Sequence, residues 1–154
     1  MPTDTHPDLA AAMQQAHHRI EQQLDALKLA ASQAEAPDGR SRLKGACREF
    51  CAALSEHHRL EDVRLFPRLR QANPLFGEAL DDLMGDHERL AGHVAALEAA
   101  TAAPEPDRDR VERAIDGVHR SMTKHFAAEE AGLHALMGQI EIAPDDLRRL
   151  FGEQ

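Results

Sequence analysis

The sequence predicts an all-α fold: an up-down-up-down four-helix bundle closed by a short C-terminal helix. Three observations carry that expectation. Apolar residues recur every three or four positions through four long stretches. Alanine and leucine dominate where strands would favour β-branched and aromatic residues, and Trp and Tyr are absent. Proline- and glycine-bearing turns separate the four stretches, leaving connections short enough for antiparallel neighbours. The 154 residues are expected to form one domain, with the bundle over about residues 7–138 and the tail helix over about 144–152.

Helix one is expected to have Pro7 in its first turn and Asp8 at its positive end. Its stripe runs Leu9, Met13, Ala16/His17, Ile20, Leu24, Leu27, Ala31, with His17 on it. Ala36-Pro37-Asp38-Gly39 is a turn. Helix two places Leu43, Cys47, Phe50, Leu54, His57, Glu61 and Leu65 on one face and is expected to end near Arg70, ahead of Asn73-Pro74. Helix three starts at Pro74 and turns Leu80, Leu83/Met84, His87, Leu90, Val94 and Leu97 inward; Pro104 and Pro106 close it. Helix four starts near Asp107 and carries Val111, Ile115, Val118, Met122, His125, Glu129, Gly132/Leu133 and Leu136 to a stop at Gly138. Pro144-Asp145-Asp146 opens the tail helix, whose Leu147, Leu150 and Phe151 can dock back on the bundle.

Two copies of one phrase stand out on these stripes: His57-x-x-x-Glu61 and His125-x-x-x-Glu129. Four helical residues turn through about 400°, so imidazole and carboxylate project from one face, one turn apart. Each pair is a two-toothed clamp for a metal ion. An internal repeat relates the halves: His17-x-x-Ile20-x-x-x-Leu24 matches His87-x-x-Leu90-x-x-x-Val94 at an offset of 87 − 17 = 70. The clamps repeat at 125 − 57 = 68. This comparison selects His17 over His18 as the inward histidine.

In antiparallel hairpins, residues equally far from the connecting turn lie at equal height. His17, His57, His87, His125, Glu61 and Glu129 can therefore meet in one layer halfway along the bundle. Six polar or ionisable groups in an apolar layer are severely unfavourable without a compensating partner. A pair of metal ions is such a partner, taking nitrogen from neutral imidazoles while carboxylates bridge. Taken singly, either clamp is an ordinary surface pair of roughly 0.2–0.5 kcal/mol. A lone core histidine is more often hydrogen-bonded than ligating. Two clamps in register with two further histidines favour the metal site.

At these residues the chain resembles the hemerythrin-like family, also called the HHE cation-binding domain. The resemblance runs from His17 to about Met137 and includes Leu65-Phe66-Pro67 after the first clamp. It implies a centre of two non-haem iron ions, with or without an oxo or hydroxo bridge; zinc or manganese could take the same donors. It further implies terminal ligands His17, His57, His87 and His125 and bridging Glu61 and Glu129. Oxygen-carrying hemerythrins have another histidine four residues after the one on the third helix, where this chain has Ala91. His93 lies about 120° around the helix from His87 and cannot replace it. The four-His, two-Glu set is similar to that of di-iron proteins linked to nitric-oxide stress and iron–sulfur repair.

The functional expectation is a di-iron protein that binds or reacts with a small oxidant: O2, nitric oxide or hydrogen peroxide. A non-catalytic iron or oxygen sensor, or a storage module with the tail from Pro144 as reporter, is the alternative. A structural zinc site is a third reading. The redox partner and oligomeric state are unknown at this level. A net charge of −9 argues against nucleic acid or an anionic membrane as partner. No leader or long apolar run is legible, so the cytoplasm is the default compartment.

The remaining polar residues have blander expectations. His58 and Asp62, and Glu130 in the other clamp, flank the site or lie exposed, where they can orient an imidazole. His119 and His134 belong to the surface or a helix end, and His6 to the opening segment. His87-Glu88 with His93 lacks the four-residue histidine spacing of a zinc peptidase. Cys47 and Cys51 read as small buried residues. Gly132, on the inward face, is expected either to be filled by Arg64, its counterpart at 132 − 68 = 64, or to open an entry path; otherwise both tolerate a partly exposed bundle end.

Overall fold

The computed structural model describes residues 8–151. Pro7 and His6, named above, and the residues after Phe151 lie outside that range. Helix α1 (Leu9–Ser32) packs on α2 (Gly39–Leu60). A π-helical segment, Glu61–Leu65, continues α2 into α3 (Phe66–Ala72). A 3-10 turn, Pro74–Phe76, leads to α4 (Gly77–Ala102), then α5 (Arg108–Met137) and α6 (Pro144–Phe151). Packing is cyclic: α1 lies beside α2 and α5, and α4 beside the same two helices. That is the expected antiparallel four-helix bundle, with no strand among the described residues.

Local chemistry explains the ends. Asp8 caps α1, its Oδ1 accepting from the Ala11 N–H at 3.2 Å. Asp107 caps α5 in the same way through the Asp109 N–H. At the α1–α2 turn Asp38 adopts left-handed backbone, φ 64°, which a short polar side chain tolerates. Gly39 is required by close approach: a Cβ there would lie 2.4 Å from the Gln33 carbonyl oxygen and 2.5 Å from that of Ala34.

Helix two departs from the uniform helix expected. Pro67 has no N–H and its ring would clash with the carbonyl four residues back. The chain widens by one residue per turn just before it, and the Phe66 N–H bonds the Glu61 carbonyl instead. Leu65 and Phe66 then both point inward, each almost fully buried. Helix three also starts differently, entering through a tight turn in which Asn73 Oδ1 accepts from the Leu75 N–H.

Two apolar clusters fill the bundle. One, toward the α1–α2 turn, contains Leu24, Leu27, Phe50, Leu54, Leu97, Val118 and Met122. The other, toward the start of α1, gathers Met13, Leu65, Phe66, Leu80, Leu133 and Leu136, and α6 closes it with Leu150 and Phe151. Cys47 and Cys51 are buried in the first cluster with Sγ atoms 3.8 Å apart, and the Thr101 hydroxyl meets Cys47 Sγ at 3.3 Å. No described helix is long and apolar enough to cross a membrane.

Candidate metal centre

Between the two apolar clusters lies a polar layer. It takes His17 from α1, His57 and His58 from α2, Glu61 from the π segment, His87 from α4, and His125 and Glu129 from α5. All seven are buried; Glu61 and Glu129 are 0% exposed. The six residues singled out in the sequence thus come together at one height. With His58 added, the layer's potential donor atoms fall into two quartets, each within 4.8 Å: His17, His57, Glu61 and Glu129, and His58, Glu61, His87 and His125. Glu61 belongs to both. Its Oε1 is 3.0 Å from His87 Nε2 and its Oε2 is 3.3 Å from His57 Nε2. Glu129 Oε1 lies 2.9 Å from His17 Nε2, and its Oε2 lies 3.0 Å from His125 Nε2 and 3.5 Å from His87 Nε2.

Behind this layer, acids hold the imidazoles in position. The Nδ1 of His17 lies 2.9 Å from Glu130, that of His87 2.7 Å from Asp62, and that of His125 3.1 Å from Asp86. An acid at Nδ1 fixes the orientation of each of these rings and turns its Nε2 inward. The first two contacts follow the internal repeat: Asp62 and Glu130 each come one residue after the clamp glutamate and each reach the single histidine of the opposite half. Asp86 breaks the symmetry. Its counterpart, 86 − 70 = 16, is Ala16, so no acid stands behind His57 at that place.

Among the described residues, the buried side-chain polar atoms without a hydrogen-bond partner are Gln23 Oε1 and five in this layer. The five are His57 Nε2, His58 Nε2, both carboxylate oxygens of Glu61, and Glu129 Oε2. Several lie within 3.0–3.5 Å of an opposite group, yet they are not aligned for a hydrogen bond. Leaving such atoms unmet costs about 1–3 kcal/mol each. Nitrogen and carboxylate donors converging there fit divalent transition metals.

The electrostatics agree. Burial opposes charge on His87, but Glu129 and Glu61 outweigh it and raise its pKa to about 10. His57 and His125 are raised too, burial again being overcome, by Glu61 for His57 and by Glu129 and Asp86 for His125. Burial would raise Glu129, but His125, His17 and His87 hold it well below the usual carboxylate range. His58 moves the other way. Burial, with His87 and His57 beside it, lowers its pKa to about 2.

These shifts set a pH dependence. Without metal, the stability that His87 contributes is fully present below pH 6.5 and is lost as pH rises through about 10. The contribution of His58 is present above pH 6.5 and is lost as pH falls toward about 2. A metal ion takes only neutral imidazole. Metal uptake at pH 7 is therefore expected to release protons, and apparent affinity to climb with pH up to about 10. Calorimetric titrations in two buffers of different ionisation enthalpy measure the protons released; a count of zero would contradict this charge distribution.

Sequence reasoning placed His58 at the flank or on the surface; the structure buries it in the layer, its ring stacked on His87 at 3.9 Å between centroids. The signal was available. His58 precedes Glu61 by three residues, and three helical residues fall about 60° short of a full turn. Asp86 was missed because it reaches across to another helix. Gly132 does not face inward: it is exposed on the outside of α5 with open space around it, and of the three expectations only the tolerance of exposure at both positions holds. Arg64 is exposed as well and reaches toward the Arg149 carbonyl on α6 at 3.5 Å. The inward stripe continues His125, Glu129, Leu133, Leu136 instead. His93 is exposed, and His18 is too.

A cavity of about 370 Å³ opens between α2 and α4 onto His58 and His87, with Asp62, Leu90, Ala91 and Val94 in its wall. A larger cavity of about 630 Å³ lies at the α1–α2 turn, lined by Asp38, Arg40 and Arg108 among others, and none of the layer residues borders it. Space beside the centre thus suits small molecules.

The family model described as the hemerythrin HHE cation binding domain matches residues 8–150, nearly the whole chain. Comparison with curated proteins and with solved structures returns no significant match.

Proposed function

The chain belongs to the hemerythrin HHE cation-binding family, and we propose from that premise that its buried layer holds two iron ions and handles a small oxidant. One observation carries the reading: five unpartnered buried donor atoms converge in a layer where the outer nitrogens of His17, His87 and His125 are already committed to acids. Two iron ions there would supply coordination positions for O2, nitric oxide or hydrogen peroxide and electrons to exchange with it. His17, His57, His87 and His125 would hold the ions as terminal donors, and Glu61 and Glu129 would supply the carboxylates they share. Asp62, Glu130 and Asp86 hold three of the rings by Nδ1, so that Nε2 is the nitrogen each would present to a metal once any proton there is lost. The apolar clusters on either side exclude bulk water, so charge inside the layer is screened little. A diatomic or peroxide reaches the layer through the cavity between α2 and α4. Turnover entails an electron donor outside the chain.

A sensing role is the second reading, favoured by the seat of α6: the Phe151 ring lies 6.4 Å from that of His57. Helix α6 also packs on α1, α2 and the π segment, so occupancy and docking of the tail can be coupled. The deciding experiment is metal analysis with an optical spectrum of anaerobically purified protein, followed by rapid mixing with O2, NO and peroxide. Two irons per chain and repeated consumption of one oxidant support the oxidant reading. Stoichiometric binding with altered protease cleavage around residue 143 supports sensing. An iron-free chain that resists reconstitution overturns both.

A further inference from the structure

We propose that His58 is a fifth histidine ligand, bound to the metal position it shares with Glu61, His87 and His125; this rests on the two-metal reading above. The internal repeat supplies the argument. Position 58 corresponds to 126 in the other half, since 126 − 68 = 58, and the residue there is Phe126. Both side chains do the same packing. Phe126 stacks on His17 at 3.8 Å with planes 3° apart, and His58 stacks on His87 at 3.9 Å with planes 13° apart. A phenyl ring therefore satisfies the packing requirement at this place in the fold. The imidazole adds something packing does not need: a buried Nε2 with no hydrogen-bond partner.

One ring nitrogen of His58 falls within the quartet with Glu61, His87 and His125. Its ring lies buried beside those of His57, His87 and His125. The two positions then differ. One is served by His17, His57, Glu61 and Glu129, with Phe126 covering His17. The other has an extra imidazole on the side facing the cavity between α2 and α4, so incoming ligands meet the five-histidine centre at His58.

The test compares wild type with His58→Phe and His58→Ala, each titrated anaerobically with Fe(II) and counted for bound imidazoles by X-ray absorption. His58→Phe copies the arrangement at Phe126, so its metal-free melting temperature is expected to equal or exceed that of wild type. Its second iron is expected to bind at least 10-fold more weakly, with the average imidazole count per iron lowered. His58→Ala is expected to show the same loss and to recover the second iron when free imidazole is added, the vacated space opening on the cavity. If wild type and both variants bind two irons with equal affinity and equal imidazole counts, His58 is a packing ring and the proposal is wrong. A failure of imidazole to rescue His58→Ala, with His58→Phe unimpaired, also overturns it. A wild-type chain that takes up no iron overturns the two-metal reading itself, and this assignment with it.

Discussion

Replacing Glu61 with glutamine is expected to abolish tight metal binding at both positions at once. Glu61 is the residue common to the two quartets, and each of its oxygens faces a different half of the layer, toward His87 and toward His57. Glutamine keeps the volume but removes the negative charge and turns one acceptor into a donor. An ion held at either position would lose a ligand and the charge that offsets its own. The metal-free protein also suffers. Breaking a buried charge pair costs about 3–5 kcal/mol when the surviving charge cannot escape. Here the imidazoles can give up protons, so the loss is expected near the lower end, about 3 kcal/mol, read from denaturant midpoints. Metal analysis after gel filtration checks the main claim. Two ions retained per chain in Glu61→Gln would mean that the layer does not share this carboxylate.

Removing the metal from the intact protein is expected to produce the second large effect. Ligands that bind only the folded state stabilise it by about 4 kcal/mol at free concentrations 1,000 times Kd. For a chain of this size each kcal/mol moves the melting temperature by about 2–4 °C. Chelation is therefore expected to lower it by on the order of 10 °C. The apo fold should nevertheless persist, because the two apolar clusters lie on either side of the layer and do not depend on it. Scanning calorimetry before and after dialysis against a chelator measures this. An unchanged melting temperature would indicate that the converging donors take up no ion under native conditions.

Much of this was readable from local spacing. A helix advances about 100° per residue whatever surrounds it, so apolar stripes, the two clamps and the repeat at 70 and 68 placed six residues on inward faces. The same regularity limited the reading. Positions three and four before Glu61 lie about 60° and 40° either side of it, so His57 and His58 are nearly equivalent on an isolated helix. Which of them enters the bundle depends on how α2 is rotated against α4 and α5, and in this fold both enter. For Gly132 the spacing from His125 misled, since beyond Glu129 the inward direction follows Leu133. The periodicity carried helix two unbroken past Pro67, and only the folded chain shows the proline absorbed as a π turn beginning at Glu61.

By itself, the sequence determined the helical class, the number and order of the helices, and the pairing of a histidine with a glutamate one turn apart in each half. Those are properties of residues close together along one chain segment. The tertiary structure alone decided that His58 joins the layer, that Asp86 backs His125 from a different helix, that Glu61 serves both quartets, and that Gly132 faces outward. Each depends on the rotation and height of one helix relative to its neighbours. That rotation is set by the packing of all the side chains together, so no short stretch of sequence encodes it.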